Sequence, residues 1–369
     1  MLIVIADDLT GAAEIAGVAW RMGFSVRLDM QSPHQATTAD VLVIATDTRQ
    51  MTPGEASATT DGIIRQLKSR YPSSKDLLYF KKTDSALRGH IVGELLTMMA
   101  ALGLNKALLL AQNPSKGRVI TSGRFLINGV PLDETPFRND PEFPTCTSII
   151  GELLAEAHSL STNASLREGI NVADAASQEE ITKQLKKADN NTLLAGAADF
   201  FTACIRQFAI GEKSRSNIAP SEIKTEKRLL VQGSTQSITY GRNMKEMLMP
   251  DEVFHGGSPY VWIAQLKICF EKEPSMAVRI PQAPTGGKAY AIRLRKKMAE
   301  AVAQILESQT IPVHLLIEGG ATAFAIVRRM GWQSFDLVKE DAPGVVTLSH
   351  RNFLITLKPG SYPWPSDIC

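Results

Sequence analysis

The chain has 369 residues, of which 40 are basic and 38 acidic, and its formal net charge is +2. With 44% hydrophobic and 21% charged residues, the composition excludes a disordered or collagen-like chain, and the balanced charge excludes a strongly basic nucleic-acid binder. The length predicts two domains, each large enough to bury a hydrophobic core.

The sequence gives no sign of a membrane protein or of an oxidising compartment. The first residues form an apolar run that meets Asp7 and Asp8 at once, so they predict a strand and not a signal peptide. No apolar run approaches the roughly 18 residues needed to span a bilayer. The four cysteines lack C-x-x-C spacing, as is typical of thiols in a reducing compartment. We therefore expect a cytoplasmic protein that binds neither membrane nor nucleic acid.

Short apolar runs alternate with helical patterns through the first half of the chain. We predict buried strands at Leu2–Ala6, Val41–Ala45, Leu77–Phe80 and Ala107–Ala111, and helices at Gly11–Met22, Pro53–Arg70 and Gly89–Ala101. This alternation predicts an α/β fold with a mostly parallel sheet flanked by helices. The Pro- and Gly-rich residues 113–144, called the excursion below, predict a long irregular segment, and a segment of that length in a compact domain is usually functional.

A polar stretch without periodicity, residues 211–227, separates the two halves. We therefore predict one domain at residues 1–210, a linker at 211–227 and a second domain at 228–369. In the second domain, strands are predicted at Arg228–Gln232, Val313–Ile317, Val345–Leu348 and Phe353–Leu357, and helices at Thr239–Met249, Lys288–Ser308 and Ala321–Met330.

Polar clusters follow three predicted strands of the first domain, and the carboxyl ends of parallel strands meet at one edge of a sheet. We therefore expect the charged residues of these clusters to converge: Asp8, Arg49, Lys82, Asp84 and Arg88. Arginine binds a carboxylate through two parallel hydrogen bonds, and aspartate accepts hydrogen bonds from hydroxyls. The set suits a small hydroxylated acid. The alternatives are helix capping for the acids and a surface charge network for the whole cluster.

Two glycine-bearing turns follow strands of the second domain, Gly233-Ser234 and Gly319-Gly320-Ala321-Thr322. Glycine lets the backbone approach a ligand closely, and the N–H groups at a helix start attract phosphate. The segment Lys358-Pro359-Gly360 follows the last strand as a third candidate contact. Each turn alone is common, but together they indicate nucleotide binding. The sequence has no P-loop, because the Gly287-Lys288 pair is followed by Ala289.

The order of these motifs resembles that of the four-carbon acid sugar kinases, and the resemblance covers nearly the whole chain. The motifs that carry it are Ile5–Ala12, Lys81–Gly89, Gln112–Arg118, Gly233-Ser234, Gly319–Ala323 and Lys358–Gly360. The family implies an N-terminal domain that binds an acid sugar such as threonate, erythronate or 3-oxo-tetronate, and a C-terminal domain that binds ATP. Phosphorylation of the 4-hydroxyl is expected in the cleft between the two domains.

The resemblance also implies site residues. Substrate contacts fall on Asp8, Arg49, Lys82 and Asp84, to which the local pattern adds Ser85 and Arg88. ATP contacts fall on Ser234, Gly319, Gly320, Ala321, Thr322 and Gly360, to which the turns themselves add Gly233 and Lys358. Mg²⁺ is expected to be held mostly by ATP and water, so no protein metal site is predicted.

For the reaction, we expect Asp8 rather than Asp84 to take the proton of the attacking hydroxyl, because Asp8 lies at a strand exit beside a helix start. Lys82, Arg49 and Arg88 are expected to hold the carboxylate of the acid sugar and to screen the developing charge. Domain closure is expected to keep water away from the γ-phosphate.

Three departures from the family pattern lie in the nucleotide half. Ala321 stands where the family usually has an acid, Arg242 where it has glutamine, and Ser361 where it has glycine. These departures leave open a catalytically degenerate relative that binds acid sugar or nucleotide without phosphoryl transfer. A metal-dependent lyase or dehydratase that uses Asp7 and Asp8 is a further alternative. The identity of the acid is open as well, and so is self-association, with a homo-oligomer as one outcome.

Overall fold

The computed structural model describes residues 1–71, 77–140, 143–208, 224–233, 244–281, 288–360, 364–365 and 368. The chain divides into two compact units, called here the first unit (Met1–Ser216) and the second unit (Asn217–Cys369). Most of the predicted linker, 211–227, lies outside the described residues. The domain limits given above therefore stay predictions.

The first unit is built on an eight-stranded sheet in which all neighbouring strands are parallel. The strands of the unit are β1 (Leu2–Ala6), β2 (Val26–Met30), β3 (Val41–Ala45), β4 (Leu78–Lys82), β5 (Lys106–Leu110), β6 (Arg118–Thr121), β7 (Arg124–Ile127), β8 (Val130–Pro131), β9 (Ala157–Leu160), β10 (Gly169–Ala173) and β11 (Thr192–Gly196). The order in the parallel sheet is β2-β3-β1-β4-β11-β5-β10-β9. This confirms the predicted fold class.

Helices lie between these strands, as crossover connections between parallel strands require. They are α1 (Leu9–Arg21), α2 (Pro53–Arg70), α3 (Ile91–Leu102), α4 (Ile150–Leu153), α5 (Gln178–Leu185) and α6 (Ala198–Phe208). The central strands β1 and β3 are buried along their whole length, since helices cover both faces of such a sheet. A capping box between Thr52 and Glu55 starts α2 at Pro53.

The excursion is not the wholly irregular segment predicted from its composition. Strands β6, β7 and β8 form a small antiparallel sheet of their own. Two-residue turns at Ser122-Gly123 and Asn128-Gly129 connect them, and all four residues have positive φ. Such turns match the twist of a hairpin, and Asn-Gly is a strong sequence signal for them. The prediction was wrong because the glycines of this segment were interpreted as a sign of irregular structure, whereas they form tight turns between strands.

The second unit combines parallel and antiparallel strands in the order β13-β14-β12-β15-β18-β17-β16. Its strands are β12 (Lys227–Gln232), β13 (Lys245–Leu248), β14 (Ser275–Arg279), β15 (Val313–Glu318), β16 (Ser334–Ala342), β17 (Val345–His350) and β18 (Phe353–Lys358). Its helices are α7 (Asp251–Phe254), α8 (Tyr260–Lys272), α9 (Lys288–Leu306) and α10 (Gly320–Arg329). Strands β13, β14, β12, β15 and β18 are parallel to one another, whereas β17 and β16 pair antiparallel.

One predicted helix of this unit is wrong. Of the segment Thr239–Met249, the described part contains β13, and residues 239–243 lie outside the described residues. Strand β13 pairs with β14, and this pairing outweighs the weak helical propensity of so short a segment. Within the described ranges, no helix is both long enough and apolar enough to cross a membrane.

A buried chain of hydrogen bonds links four strands of the second unit. His314 on β15 contacts the hydroxyl of Thr356 at 2.8 Å, and Thr356 contacts the hydroxyl of Thr347 at 2.6 Å. Thr347 in turn donates to the carboxylate of Asp341. Since each hydroxyl has one proton, the imidazole must donate at Nε2 to complete the chain. Burial lowers the pKa of His314 to about 4.

This burial predicts an acid-labile second unit. The folded pKa of His314 lies below its ordinary value of 6.5, so the neutral imidazole stabilises the fold above pH 6.5, and this contribution is lost as the pH falls toward 4. The free energy of unfolding should decrease by up to about 3 kcal/mol over that range. Urea denaturation followed by tryptophan fluorescence measures it, because Trp262, Trp332 and Trp364 all lie in this unit. A His314→Gln variant should show a flatter pH dependence; an unchanged slope contradicts the assignment.

Candidate functional site

The three polar clusters of the first unit meet at one edge of its sheet. Strand β1 lies between β3 and β4, and Ala6 is in register with Ala45 on one side and with Lys82 on the other. The residues that follow each strand therefore emerge side by side. The structure thus brings together Asp8, Arg49, Lys82, Asp84, Ser85 and Arg88, the residues predicted to contact the substrate.

Arg49 lies at the centre of this cluster. It belongs to a short 3₁₀ turn, Thr48–Gln50, that follows β3. Its Nε atom is 2.7 Å from Asp7 Oδ2, and its Nη1 atom is 3.1 Å from Asp8 Oδ2 and 3.5 Å from Asp84 Oδ1. The guanidinium side chain is only 11% exposed. One cation therefore compensates three carboxylates in a largely buried setting.

Asp8 caps a helix and also belongs to the charged cluster around Arg49, so the capping that the sequence offered as an alternative does not remove it from the candidate site. Its Oδ1 accepts a hydrogen bond from the Gly11 N–H at 2.8 Å and caps α1, while its Oδ2 faces Arg49. Burial raises the pKa of Asp8, and the nearby carboxylate of Asp7 raises it further, although Arg49 acts in the opposite direction. A raised pKa makes this carboxylate a better proton acceptor than an ordinary aspartate.

Asp84 has the opposite character, because two arginines hold it. Arg88 donates from Nε and Nη2 to both carboxylate oxygens, at 3.0 and 2.9 Å. Its third nitrogen, Nη1, donates to Asp140 on the excursion at 3.0 Å. Burial by itself would raise the pKa of Asp84, but Arg49 and Arg88 lower it well below its usual range. Asp84 therefore stays ionised, and Arg88 has carboxylate partners within the protein.

Lys82 extends into the cluster from the end of β4. Its ammonium group donates to the Thr83 carbonyl at 2.8 Å and lies 3.6 Å from Oε2 of Glu14 on α1. Lys116, on the excursion, is 2.5 Å from the other oxygen of the same carboxylate. Burial acts to raise the pKa of Glu14, but the two ammonium groups outweigh it and lower the pKa. Glu14 thus holds two lysines beside the acids.

The excursion packs against this edge through further charged and aromatic side chains. Arg118 donates a hydrogen bond to the Ser85 hydroxyl. The guanidinium groups of Arg88 and Arg118 lie 5.3 and 5.7 Å from the ring centre of Phe137, which is a cation–π arrangement. The excursion therefore forms part of the candidate site, as its length suggested.

Two buried oxygen atoms at this edge have no hydrogen-bond partner among the described residues. They are Oδ1 of Asp7 and Oγ1 of Thr83. Buried polar atoms are nearly always hydrogen-bonded in folded proteins, to protein groups or to a ligand or water. A carboxylate oxygen accepts, and a threonine hydroxyl both donates and accepts. Both atoms are therefore suited to a hydroxylated ligand.

The glycine turns of the second unit also meet at one sheet edge. Strand β15 lies between β12 and β18, with Glu318 in register with both Gln232 and Lys358. A Cβ atom on Gly233 would lie 2.1 Å from Oγ1 of Thr322, so only glycine allows this close approach of the two turns. Of the predicted ATP contacts, Gly233, Gly319, Gly320, Ala321, Thr322, Lys358 and Gly360 are described and Ser234 lies outside the described residues.

Helix α10 starts at this edge without a side-chain cap. Its N-cap residue is Gly319, with φ 97° and ψ 122°, a conformation that suits glycine. The N-cap residue therefore offers no side-chain acceptor to the first N–H groups of the helix, and such groups attract anions. This geometry is compatible with phosphate binding at Gly320, Ala321 and Thr322.

A buried carboxylate that sequence analysis did not single out lies beside this turn. Glu318 Oε2 accepts hydrogen bonds from Gln232 Nε2 at 3.2 Å and from Trp364 Nε1 at 3.1 Å. The ammonium of Lys358 is 3.6 Å from the same oxygen and 5.5 Å from the centre of the Trp364 ring. A carboxylate of the protein therefore compensates the positive charge of Lys358. Within the described ranges, no group of three or more His, Cys, Asp or Glu residues is arranged to hold a metal ion.

The family model described as a sugar-binding N-terminal domain matches residues 2–204, more than half of the chain. The chain belongs to this sugar-binding family. A D-threonate kinase from Salmonella typhimurium is 30% identical over 237 residues, which are 58% of this chain and 55% of that enzyme. The matched part thus spans about half the length of this D-threonate kinase.

A 3-oxo-tetronate kinase from Brucella melitensis is 24% identical over 386 residues and covers 93% of this chain and 88% of that enzyme. The crystal structure of a Haemophilus influenzae protein has the same fold, with a TM-score of 0.72 at 19% identity over 98% of this chain and 97% of that chain. The relatives of this chain thus include kinases of four-carbon acid sugars. This finding confirms the family resemblance seen in the sequence.

Sequence reasoning missed several residues of the two edges, although signals for some were present. Glu14 is a lone acid in the otherwise apolar first turns of α1, and Glu318 ends a buried strand just as Asp7 follows one. Lys116 and Arg118 lie in the excursion, but nothing in their spacing indicates their partners. Contacts over such sequence separations depend on tertiary structure.

Removing the central guanidinium should destabilise the first unit. An Arg49→Met variant leaves three carboxylates without their shared cation, so we expect the free energy of unfolding at pH 7 to fall by about 3–5 kcal/mol. The difference in the free energy of unfolding between the variant and the unmodified protein should be smaller at pH 5, where partial protonation of the carboxylates relieves their mutual repulsion. Urea denaturation at both pH values measures it. Arg65→Met is the control, because Arg65 is 78% exposed in its pair with Asp61 and such pairs contribute little. Equal losses in the two variants contradict the prediction.

Proposed function

We propose that this protein is an ATP-dependent kinase that phosphorylates the 4-hydroxyl of a four-carbon acid sugar, such as threonate, erythronate or 3-oxo-tetronate. The observation that carries the proposal is the edge of the first unit, where Arg49 lies among Asp7, Asp8 and Asp84 beside the buried ammonium of Lys82. Cations for a carboxylate and acceptors for hydroxyls are thus placed within a few ångströms of one another. The kinases among the relatives support the same substrate class.

The two aspartates have different roles in this proposal. Asp84 stays ionised between Arg49 and Arg88 and accepts hydrogen bonds from substrate hydroxyls. Asp8, whose pKa burial raises, accepts the proton of the attacking 4-hydroxyl as its oxygen bonds to the γ-phosphorus and ADP leaves. Lys82 and Arg49 bind the carboxylate of the acid. Thr83 Oγ1 donates to that carboxylate or bonds to a hydroxyl, and Asp7 Oδ1 accepts from a hydroxyl, both atoms being buried without a partner among the described residues.

The second unit supplies the nucleotide site in this proposal. The N–H groups at the start of α10 and the backbone of Gly233 and Gly360 bind the phosphates of ATP, since glycine turns and helix starts attract anions. Mg²⁺ arrives with ATP and supplies charge neutralisation on the phosphates. Phosphoryl transfer depends mainly on alignment and charge compensation, which suits a site built from backbone groups and a few cations.

An assay of acid-dependent ADP release tests the proposal. The intact chain with Mg-ATP is offered D- and L-threonate, D- and L-erythronate and the corresponding 3-oxo-tetronates, and at least one should raise ADP release well above the rate with ATP alone. Asp8→Asn should lower kcat by about 10²–10⁴-fold with little change in the KM for ATP. No acid-dependent release with any compound would falsify the proposed reaction, and near-normal turnover by Asp8→Asn refutes the base assignment.

A catalytically degenerate relative is the second candidate, and one observation favours it. The ammonium of Lys358 lies 3.6 Å from buried Glu318, which lowers the positive charge available to phosphates, and Ala321 offers no side-chain polar group. Such a protein would bind the acid sugar without phosphoryl transfer. Isothermal titration separates the two candidates: binding of an acid sugar without binding of ATP or ADP favours the degenerate relative, whereas binding of both ligands favours the kinase.

The turn at Gly319 offers a test of the nucleotide half. Gly319→Ala places a Cβ on a backbone with φ 97° and ψ 122°, so the turn must move, and we expect the KM for ATP to rise by about tenfold or more while the KM for the acid stays the same. The strain should be of order 1–3 kcal/mol. Gly331→Ala is the control, since Gly331 also has a positive φ, 65°, but follows the other end of α10. Similar nucleotide kinetics in both variants count against the predicted site.

A further inference from the structure

A fully buried ion pair lies beside the candidate sugar site. Lys81 on β4 and Glu94 on α3 are 2.7 Å apart, and their side chains are 0% and 1% exposed. Removing two charges from water costs nearly as much free energy as their attraction returns, so such a pair contributes little net stability by itself. Neighbouring strand residues point to opposite faces of the sheet, so the Lys81 side chain points away from the protein groups that Lys82 contacts. The pair requires another explanation.

One oxygen of Glu94 joins this pair to the turn that carries Arg49. Besides Lys81, Oε1 accepts hydrogen bonds from Thr48 Oγ1 at 2.7 Å and from Thr60 Oγ1 at 3.4 Å. Thr46 Oγ1 is 2.8 Å from Thr48 Oγ1. The Thr48 proton goes to the carboxylate, and Thr46 Oγ1 donates to the Ala6 carbonyl at 2.9 Å. A continuous chain of buried polar groups therefore runs from the ion pair to the end of β3.

Thr48 is the residue directly before Arg49, and both belong to the short turn Thr48–Gln50. Asp47, which precedes the turn, has a φ of 59°. The Arg49 N–H reaches the Asp7 carbonyl at a long 3.3 Å. The Thr48 hydroxyl is thus a short, buried side-chain anchor of this turn. Its position sets the point from which the Arg49 side chain extends to the carboxylates.

We propose that the Lys81–Glu94 pair is a positioning device that acts through Thr48 to hold Arg49 in place among Asp7, Asp8 and Asp84. Lys81 pairs with the Glu94 carboxylate, and a carboxylate oxygen is a strong acceptor for the Thr48 hydroxyl. The inference deepens the proposed function and rests on it, because the acid sugar is the ligand of Arg49. Loss of the anchor should weaken binding of the acid and leave the nucleotide half unaffected.

Two threonines on the same carboxylate oxygen provide a matched pair of variants. Thr48→Val and Thr60→Val each remove one fully buried hydroxyl and keep the shape of the side chain, but only Thr48 adjoins Arg49. We expect Thr48→Val to raise the KM for the acid by about tenfold, the scale of one buried hydrogen bond to a charged group. The KM for ATP should not change in either variant. Thr60→Val should leave both KM values near those of the unmodified protein.

Replacement of both charges separates positioning from stability. Lys81→Met with Glu94→Gln removes the charges but keeps a neutral oxygen acceptor for Thr48, so the KM for the acid should rise by less than in Thr48→Val, because a neutral acceptor binds the hydroxyl more weakly than a carboxylate does. Lys81→Met with Glu94→Leu removes the acceptor as well and should reproduce the Thr48→Val effect. The inference is overturned if both double variants have the same KM for the acid, or if Thr48→Val and Thr60→Val do.

Crystal structures of the two threonine variants make the test independent of activity. The Arg49 Nε to Asp7 Oδ2 distance, 2.7 Å here, should persist in Thr60→Val and lengthen beyond hydrogen-bond range in Thr48→Val. If the unmodified protein releases no ADP with any acid, the proposed function fails, and this distance alone decides the inference. An unchanged distance in Thr48→Val overturns the positioning role even if the protein is an active kinase.

Discussion

Three carboxylates placed together at the carboxyl edge of a parallel sheet repel one another, and in this protein a single guanidinium, that of Arg49, contacts all three. Asp7 and Asp8 follow β1, Asp84 follows β4, and Arg49 follows β3, so the balance of charge is made across three neighbouring strands. A planar group with five N–H donors can bridge acids in different directions, which an ammonium cannot do equally well. The arrangement gives the two key acids different character, one fixed as an anion and one able to accept a proton.

Both units place a buried carboxylate–lysine pair next to the edge where the candidate ligand contacts lie. In the first unit Glu94 pairs with Lys81, and in the second unit Glu318 lies beside Lys358. Each carboxylate also accepts hydrogen bonds from neutral side chains, which joins several secondary-structure elements at one point. Contacts with several partners at once offset the free energy that is lost when such charges are removed from water. Ordered polar groups beneath a binding edge keep the surface groups in a defined geometry.

Sequence patterns predicted the elements whose signals are local. Strands β1 and β3 and helix α2 have the predicted bounds, because an uninterrupted apolar run and a proline after a capping threonine each mark the ends directly. Strand β2 escaped notice, since the Val-Arg-Leu-Asp-Met sequence has charged residues that interrupt the apolar pattern. The convergence of the acids followed from the parallel topology. The contacts of Glu14 with Lys82 and of Arg118 with Ser85 could not be predicted, because they join segments far apart in the chain.

The excursion has its own small antiparallel sheet with two tight turns, and it delivers Lys116, Arg118 and Asp140 to residues of the parallel sheet. The acids themselves come from the loops that follow β1 and β4. The candidate site and its surroundings thus come from two structural modules, the parallel sheet and the hairpins. Under the proposed function, a change in the length or sequence of the hairpins would alter the surroundings of Ser85 and Arg88 without disturbing the strand order on which the core depends.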